Sequence, residues 1–328
     1  MTEQRLTVVT AAYNEADNLP VLYQRLVDVL GEAANWEWVV VDDHSSDATF
    51  AVLAALGQRD ARVRGVRLAR NFGSHTAIIC GLEHAQGDAA VVLAADLQDP
   101  PEVIPALIAE WRQGAQVVWA VRRQRPGDPV STVGFARLYY WIMRRIVGMP
   151  ELPAEGADML LVDRRVIGAL RRFGESNVSL FALITWMGFR QASVAYDRQP
   201  RLHGRSSWTL EKKLKLVADS VTSFTYLPVR LMSYVGFVVA LLGFLYAGLV
   251  AANALTGSPV EGWSSLMVVV LVLGGLQMLM MGVLGEYLWR ALDEARRRPK
   301  YLIEAALPER EPWPALDGAP ALETRPQP

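Results

Sequence analysis

At 328 residues the chain has the length of about two domains. Its single cysteine, Cys80, excludes an intrachain disulfide and fits a reducing compartment. A formal net charge of −1 gives no electrostatic case for a nucleic-acid partner, whereas 52% hydrophobic residues is high for a wholly soluble protein and points to a membrane-embedded part.

The start, Met1-Thr2-Glu3-Gln4-Arg5, runs straight into a short strand pattern over residues 6–10, too short for the apolar region of a secretory signal. The amino terminus is therefore expected in the cytoplasm. Asn18 is expected to cap a helix whose apolar positions Leu19, Leu22, Leu26 and Val29 recur at helical spacing. Residues 38–41, 63–66, 89–93 and 116–121 read as further strands, and 48–56, 76–85 and 102–113 as the helices between them. This alternation predicts an α/β fold, a mostly parallel sheet with helices on both faces, within a domain over residues 1–207.

Two basic amphipathic stretches follow. Phe135, Leu138, Tyr139, Ile142 and Ile146 form one apolar stripe near Arg137, Arg144 and Arg145. Leu210, Leu214, Val217, Val221 and Phe224 form another, with Lys212, Lys213 and Lys215 off the stripe. Both fit helices lying in a membrane interface, the second over residues 208–229, and both also fit ordinary core helices.

Residues 231–255 and 264–285 carry no charge, and each exceeds the ~20 residues that cross a bilayer. The connector 256–263 has no Lys or Arg, while Arg230 precedes the first span and Arg290, Arg296, Arg297, Arg298 and Lys300 follow the second. The positive-inside rule then predicts a two-helix hairpin over 230–290, spans about 231–255 and 264–287, with both ends in the cytoplasm. The expected location is the inner membrane, with the catalytic domain and both termini cytoplasmic. Gly274, Gly275 and Gly282 allow close helix packing, either inside the hairpin or between copies in a homo-oligomer. Residues 291–328 form a tail, rich in Pro and Ala, expected to be disordered after about residue 305.

Polar clusters fall at the predicted strand ends. Tyr13-Asn14-Glu15 follows the first strand and Asp42-Asp43-His44-Ser45-Ser46-Asp47 the second, with Asp47 expected to cap the next helix. Asp96-Leu97-Gln98-Asp99-Pro100-Pro101-Glu102 ends a later strand, and Asp158 lies in Gly156-Ala157-Asp158-Met159. Any one alone suits a turn, but together at one end of a sheet they indicate a ligand site. Asp96 and Gln98 offer hard oxygen ligands to Mg²⁺ or Mn²⁺, whose remaining positions a diphosphate would fill. No Walker-type loop and no Gly-x-Gly-x-x-Gly after the first strand is present, which argues against a P-loop NTPase and a dinucleotide-binding dehydrogenase.

The ordered set Tyr13-Asn14-Glu15, Asp42-Asp43-x-Ser-x-Asp47, Arg70-Asn71-Phe72-Gly73 and Asp96 to Glu102 resembles the family 2 glycosyltransferases of GT-A fold. Within them it is similar to the polyprenyl-phosphate glycosyltransferases, the group of bactoprenol glucosyltransferase and dolichol-phosphate mannose synthase. Arg201-Leu202-His203-Gly204-Arg205-Ser206 matches their Arg-x-x-Gly-x-Ser motif, and Gly285-Glu286-Tyr287-Leu288 with Arg298-Pro299-Lys300-Tyr301 matches the end of their second membrane helix. The likeness covers about residues 5 to 303.

That resemblance implies inverting transfer of a sugar from a nucleotide-sugar donor to a membrane polyprenyl phosphate of undecaprenyl or dolichyl type. It implies donor contacts from Tyr13, Glu15, Asp42, Asp43 and Asp96, a metal on Asp96 and Gln98, and catalytic roles for Asp158 and Asp96. Arg122, Arg201, Arg205 and Ser206 would hold the lipid phosphate, where bidentate arginines suit the geometry. Two positions depart from the family: Ala94 stands where Asp is usual, and Ser207 where Lys follows the motif's Ser. A membrane-anchored family 2 transferase with another acceptor, or an inactive nucleotide-sugar-binding scaffold, are the other readings these residues allow.

Overall fold

The computed structural model describes residues 4–31, 35–123, 130–145, 147–153, 159–175, 179–199, 220–255 and 262–308. The chain divides into two compact units, Met1–Leu214 with Pro299–Pro328, and Lys215–Arg298.

The first unit is built on an eight-stranded sheet: β1 (Leu6–Ala12), β2 (Trp36–Asp42), β3 (Val63–Leu68), β4 (Ala89–Val92), β5 (Val117–Arg122), β6 (Met159–Asp163), β7 (Gln191–Tyr196) and β8 (Ile303–Leu307). Their order is β7-β5-β6-β4-β1-β2-β3-β8. β1 pairs in parallel with β2 and β4, β2 with β3, and β5 with β7. β6 runs antiparallel between β4 and β5, and β8 antiparallel on β3.

The helices of this unit are α1 (Asn18–Leu30), α2 (Thr49–Arg59), α3 (Ser74–Glu83), α4 (Ile104–Arg112), α5 (Val130–Arg145), α6 (Arg164–Leu170) and α7 (Leu180–Trp186), with a 3₁₀ turn over Pro101–Val103 before α4. Strand side chains alternate between faces, and β2 shows the result. Trp38 and Val40 pack with Leu22 and Leu26 of α1 and Leu53 of α2, while Val39 and Val41 pack with Ala77 and Cys80 of α3. Both faces are covered, so β2 is buried throughout and reads as a near-continuous apolar run. α3 lies so close to the sheet that a Cβ at Gly81 would come within 2.3 Å of a Val9 methyl, which requires glycine there.

The sheet departs from expectation in three strands. β6 and β7 were not among the strands expected, although Gly156 precedes the first in sequence and Gly188, at φ 70°, the second, and β8 lies where the tail was expected to lose order. β8 is tied in by more than its ladder: Tyr301 Oη donates to Glu83 Oε2 at 2.7 Å, Lys300 Nζ to Glu83 Oε1 at 3.1 Å, and Ala69 N–H to Leu302 O at 2.8 Å. The ordered chain therefore continues past residue 305 through Leu307. Asn18 is the first residue of α1 rather than its cap, and its amide donates to the Glu15 carboxylate. α2 begins at Thr49, whose N–H donates to Asp47 Oδ1 at 2.9 Å. In α5, Tyr139 and Met143 are buried and Trp141 is exposed; Phe135, Leu138 and Ile146 lie outside the described side chains, as do residues 200–219 with most of the second amphipathic stretch.

The second unit contains two long helices, α8 (Leu227–Leu255) and α9 (Trp263–Ala295). Leu227–Val250 and Val268–Ala295 are long and apolar enough to cross a membrane, with mean hydropathy 2.0 and 2.3 and none of either window buried. Phe237 is 69% and Phe244 79% exposed, which excludes two core helices as the explanation of the apolar runs. Within this unit Tyr287 Oη donates to Thr225 O at 2.7 Å, and Arg290 pairs with Glu286 at 2.9 Å.

Candidate active site

The strand order reverses beside β1, since β2 and β3 extend the sheet on one side and β4 on the other. The carboxyl ends of β1 and β4 therefore flank a topological switch point, where open α/β sheets bind ligands. Tyr13-Asn14-Glu15 leaves one side of that crevice and the Asp96 loop the other.

The loops after β1, β2 and β4 each contain a non-glycine residue in the left-handed region: Asn14 at φ 57°, His44 at φ 60° and Leu97 at φ 59°. Such residues carry strain that surrounding contacts must hold, and they gather at ligand sites. Here the contacts are specific. Asn14 N–H donates to Ser45 Oγ at 2.9 Å, Ser46 N–H donates back to Asn14 Oδ1 at 2.9 Å, and Glu15 N–H donates to Thr49 Oγ1 at 2.9 Å. These bonds lace the β1 loop to the β2 loop and leave Tyr13 exposed at its tip.

Asp42 and Asp43 end β2 but do different things. Asp43 accepts from Phe72 N–H at 2.7 Å and Gly73 N–H at 2.9 Å, so it braces the Arg70-Asn71-Phe72-Gly73 loop from β2. Burial raises its pKa above the ordinary carboxylate value against the pull of those two N–H donors. Asp42 is 0% exposed; its Oδ1 accepts from Ser45 N–H at 2.9 Å. Its Oδ2 has no hydrogen-bond donor among the described residues, and Arg67 Nη1 stands 3.3 Å away. A buried carboxylate oxygen beside a cation, short of a hydrogen bond, suits an incoming N–H or O–H of a ligand.

After β4, the left-handed Leu97 is wholly buried and turns the chain so that Gln98 N–H donates to Asp96 Oδ1 at 3.2 Å. Asp96 is buried and Gln98 half-buried. Among the described residues no group of three or more His, Cys, Asp or Glu could enclose a metal. A carboxylate and an amide oxygen two positions apart still fit a hard divalent cation, provided a diphosphate supplies the remaining oxygens. The donor set thus fits a shared metal and not a closed protein cage.

The following residue, Asp99, is fully buried, and Tyr196 at the end of β7 donates to its Oδ1. Arg198 Nε lies 3.6 Å from the same oxygen, and Arg122 interacts with both Asp99 and Tyr196. Burial raises the Asp99 pKa, opposed by the Tyr196 hydrogen bond and the two arginines. Gln199 N–H donates to Gln98 O at 2.9 Å, so the segment after β7 is fastened to the Asp96 loop. Arg122 is therefore brought to this cluster. Asp158, Arg201, Arg205 and Ser206 lie outside the described residues. Their neighbours on the chain are placed: Met159 opens β6 opposite Ala120 near the carboxyl end of β5.

Sequence reasoning missed Asp99, Tyr196, Arg67 and Glu304. Asp99 stood inside a quoted motif as an unassigned acid; the other three carry no local signal. At the opposite end of the sheet, Glu37 accepts from Thr7 Oγ1, Gln86 N–H, Arg5 and Arg64 at 2.7, 2.7, 3.0 and 3.1 Å. That carboxylate is fully paired and serves packing.

The model for glycosyl transferase family 2 matches residues 7–170, which is β1 to α6 and every described loop of the crevice except that after β7. The chain belongs to glycosyl transferase family 2. The model of the GtrB C-terminal hairpin matches residues 227–290 of this family 2 glycosyltransferase. An uncharacterized glycosyltransferase of Synechocystis sp. is 37% identical over 300 residues, covering 91% of this chain and 94% of its own. Bactoprenol glucosyl transferase of Shigella phage SfV is 35% identical over 302 residues, covering 92% and 98%. A solved mannosyltransferase from Pyrobaculum calidifontis, in complex with GDP-Man and Mn²⁺, is 16% identical, covers 88% of each chain and has a TM-score of 0.46.

Proposed function

We propose that this family 2 glycosyltransferase moves a sugar from a nucleotide-sugar donor to the phosphate of a membrane polyprenyl lipid. One observation carries the reading: the Tyr13, Asp42 and Asp96 loops meet at the switch point of a chain that aligns over 92% of its length with a bactoprenol glucosyl transferase. The apolar hairpin gives such an enzyme access to a lipid that never leaves the bilayer.

In this reading Tyr13, Glu15 and Asp42 hold the nucleoside, with Asp43 fixing the loop beside it. Asp96 and Gln98 hold Mg²⁺ or Mn²⁺, which supplies charge stabilisation to the departing diphosphate. Arg122, Arg201, Arg205 and Ser206 bind the acceptor phosphate. One phosphate oxygen bonds to the anomeric carbon as the bond to the donor diphosphate breaks, and the nucleoside diphosphate leaves with the electron pair, inverting that carbon. A phosphate monoester has a second pKa near ~6 and is largely a dianion at neutral pH. It needs no strong base, so Asp158 orients the acceptor.

The chain leaves the sheet unit before the hairpin and returns to it as β8. The Arg-rich flanks of the hairpin, set against a connector without Lys or Arg, support a cytoplasmic catalytic unit in this reading.

The test uses full-length protein in lipid vesicles with labelled nucleotide-sugars, undecaprenyl phosphate and Mg²⁺ or Mn²⁺. Lipid-linked sugar is the expected product. Nucleotide binding without any product favours a scaffold, and transfer only to a soluble glycan favours a different acceptor.

A further inference from the structure

Arg67, in β3, is held from three directions. Nε donates to Glu304 Oε2 at 3.0 Å, Nη2 donates to Ser45 O at 3.2 Å, and Nη1 faces Asp42 Oδ2 at 3.3 Å. The guanidinium also lies over the Phe50 ring, 5.5 Å from its centroid. Glu304 belongs to β8, the strand that follows the hairpin, and the same Oε2 stands 3.3 Å from His44 Nδ1 in the β2 loop. His44 Nδ1 also meets Leu68 O at 3.0 Å. One carboxylate oxygen at the far end of the sequence thus touches both the cation beside Asp42 and the left-handed residue of the Asp42 loop.

We propose that Glu304 is a positioning residue for the donor pocket: it draws the Arg67 guanidinium toward β8 and so leaves the buried Asp42 Oδ2 without a hydrogen bond from the described residues, one that the nucleotide-sugar completes on entering. The inference rests on the reading of Asp42 as a nucleoside contact. Its physical basis is competition. A guanidinium offers five N–H donors in a fixed fork, and an unanchored arginine this near a buried carboxylate closes into a bidentate pair. Glu304 occupies Nε and Ser45 O occupies Nη2, so the fork cannot turn to present two donors to Asp42. Asp42 Oδ2 keeps a neighbouring positive charge and no hydrogen-bond donor among the described residues. Removing Glu304 frees Nε and leaves only the Ser45 O bond and the Phe50 ring to hold the guanidinium, which can then turn toward Asp42, so that the ligand must displace Arg67.

The experiment compares full-length wild type, Glu304→Ala, Glu304→Gln, Glu304→Asp and Asp42→Asn in detergent. Uridine diphosphate and guanosine diphosphate are titrated by calorimetry, and KM for donor and for undecaprenyl phosphate are measured separately. Glu304 is 48% exposed, and half-exposed pairs are weak, so Glu304→Ala is expected to weaken nucleotide binding by about three- to fivefold. Donor KM rises in step, kcat and lipid KM stay unchanged, and Glu304→Asp restores part of the loss. A fall in melting temperature with unchanged nucleotide affinity would overturn the proposal and leave Glu304 a structural residue. If Asp42→Asn also leaves nucleotide affinity unchanged, the donor reading of Asp42 falls and the inference with it. If Asp42→Asn weakens binding and Glu304→Ala does not, the donor reading stands and only the role of Glu304 is lost.

Discussion

The Tyr196 hydroxyl donates to the carboxylate of Asp99, joining the end of β7 to the loop that carries Asp96 and Gln98. With the Gln199–Gln98 backbone bond at 2.9 Å, it ties the Asp96 loop to the segment that follows β7. In the proposed reaction Asp99 would couple the donor loop to the chain that leads toward the acceptor residues.

Tyr196→Phe tests that connection. The change leaves a buried carboxylate oxygen short of a donor, which costs about 1–3 kcal/mol. The melting temperature should fall, and KM for lipid phosphate should rise while nucleotide binding by calorimetry holds. Equal loss of donor and acceptor affinity would mean that the bond only supports the core.

Asp96→Ala should reduce turnover by about 100-fold or more, the scale of removing one preorganised charge-stabilising group. Mn²⁺ binding in the presence of nucleoside diphosphate, followed by electron paramagnetic resonance, should weaken in parallel. Ala94→Asp should be tolerated and should tighten Mn²⁺, because it adds a carboxylate to a proposed site where no group of three or more acids, His or Cys stands among the described residues. Lost activity with unaltered metal affinity would show that residue 94 is needed small.

Asp43→Ala removes the acceptor of two N–H groups at once. Both residues are half-buried, so water can reach the released N–H groups and the cost is about 1 kcal/mol for each, the low end of the range for stranded donors. Hydrogen exchange at Phe72 and Gly73 should accelerate, while amides of β2 remain protected. Unchanged exchange at residue 73 would show that the loop holds itself.

Acid stability should depend on His84, which is buried with Nδ1 2.7 Å from the Cys80 carbonyl. Burial lowers its pKa below the ordinary value, with the Cys80 hydrogen bond and Glu83 opposing. The unfolded chain therefore binds the proton first. Its contribution to stability is whole above about pH 6.5 and is lost as pH falls from there toward the folded value. The melting temperature should drop between neutral pH and pH 5, and His84→Gln should flatten that slope. An identical slope in the variant would assign it to other groups.

Phe244→Arg places a charge within the exposed apolar face of α8. Insertion should be disfavoured by about 2.5–3.5 kcal/mol. Less protein should then resist carbonate extraction, while the nucleotide affinity proposed for the sheet unit should be unchanged. Full retention on membranes would argue that the segment does not cross.

Local chemistry in the sequence determined much of this protein. Alternating apolar runs gave β1 to β5 and the helices between them, because burial on both faces demands them. The uncharged lengths 231–255 and 264–285 announced the hairpin, because hydrocarbon excludes charge. Acidic loops at strand ends marked the crevice. Tertiary structure decided the rest. β6, β7 and β8 exist through pairing partners distant in sequence: β6 lies antiparallel between β4 and β5, and β7 and β8 form the two edges, so five- and six-residue runs took their place from neighbours and not from a pattern of their own. The same distance hid Arg67 from Glu304 and Tyr196 from Asp99, contacts spanning 237 and 97 positions that no local pattern encodes.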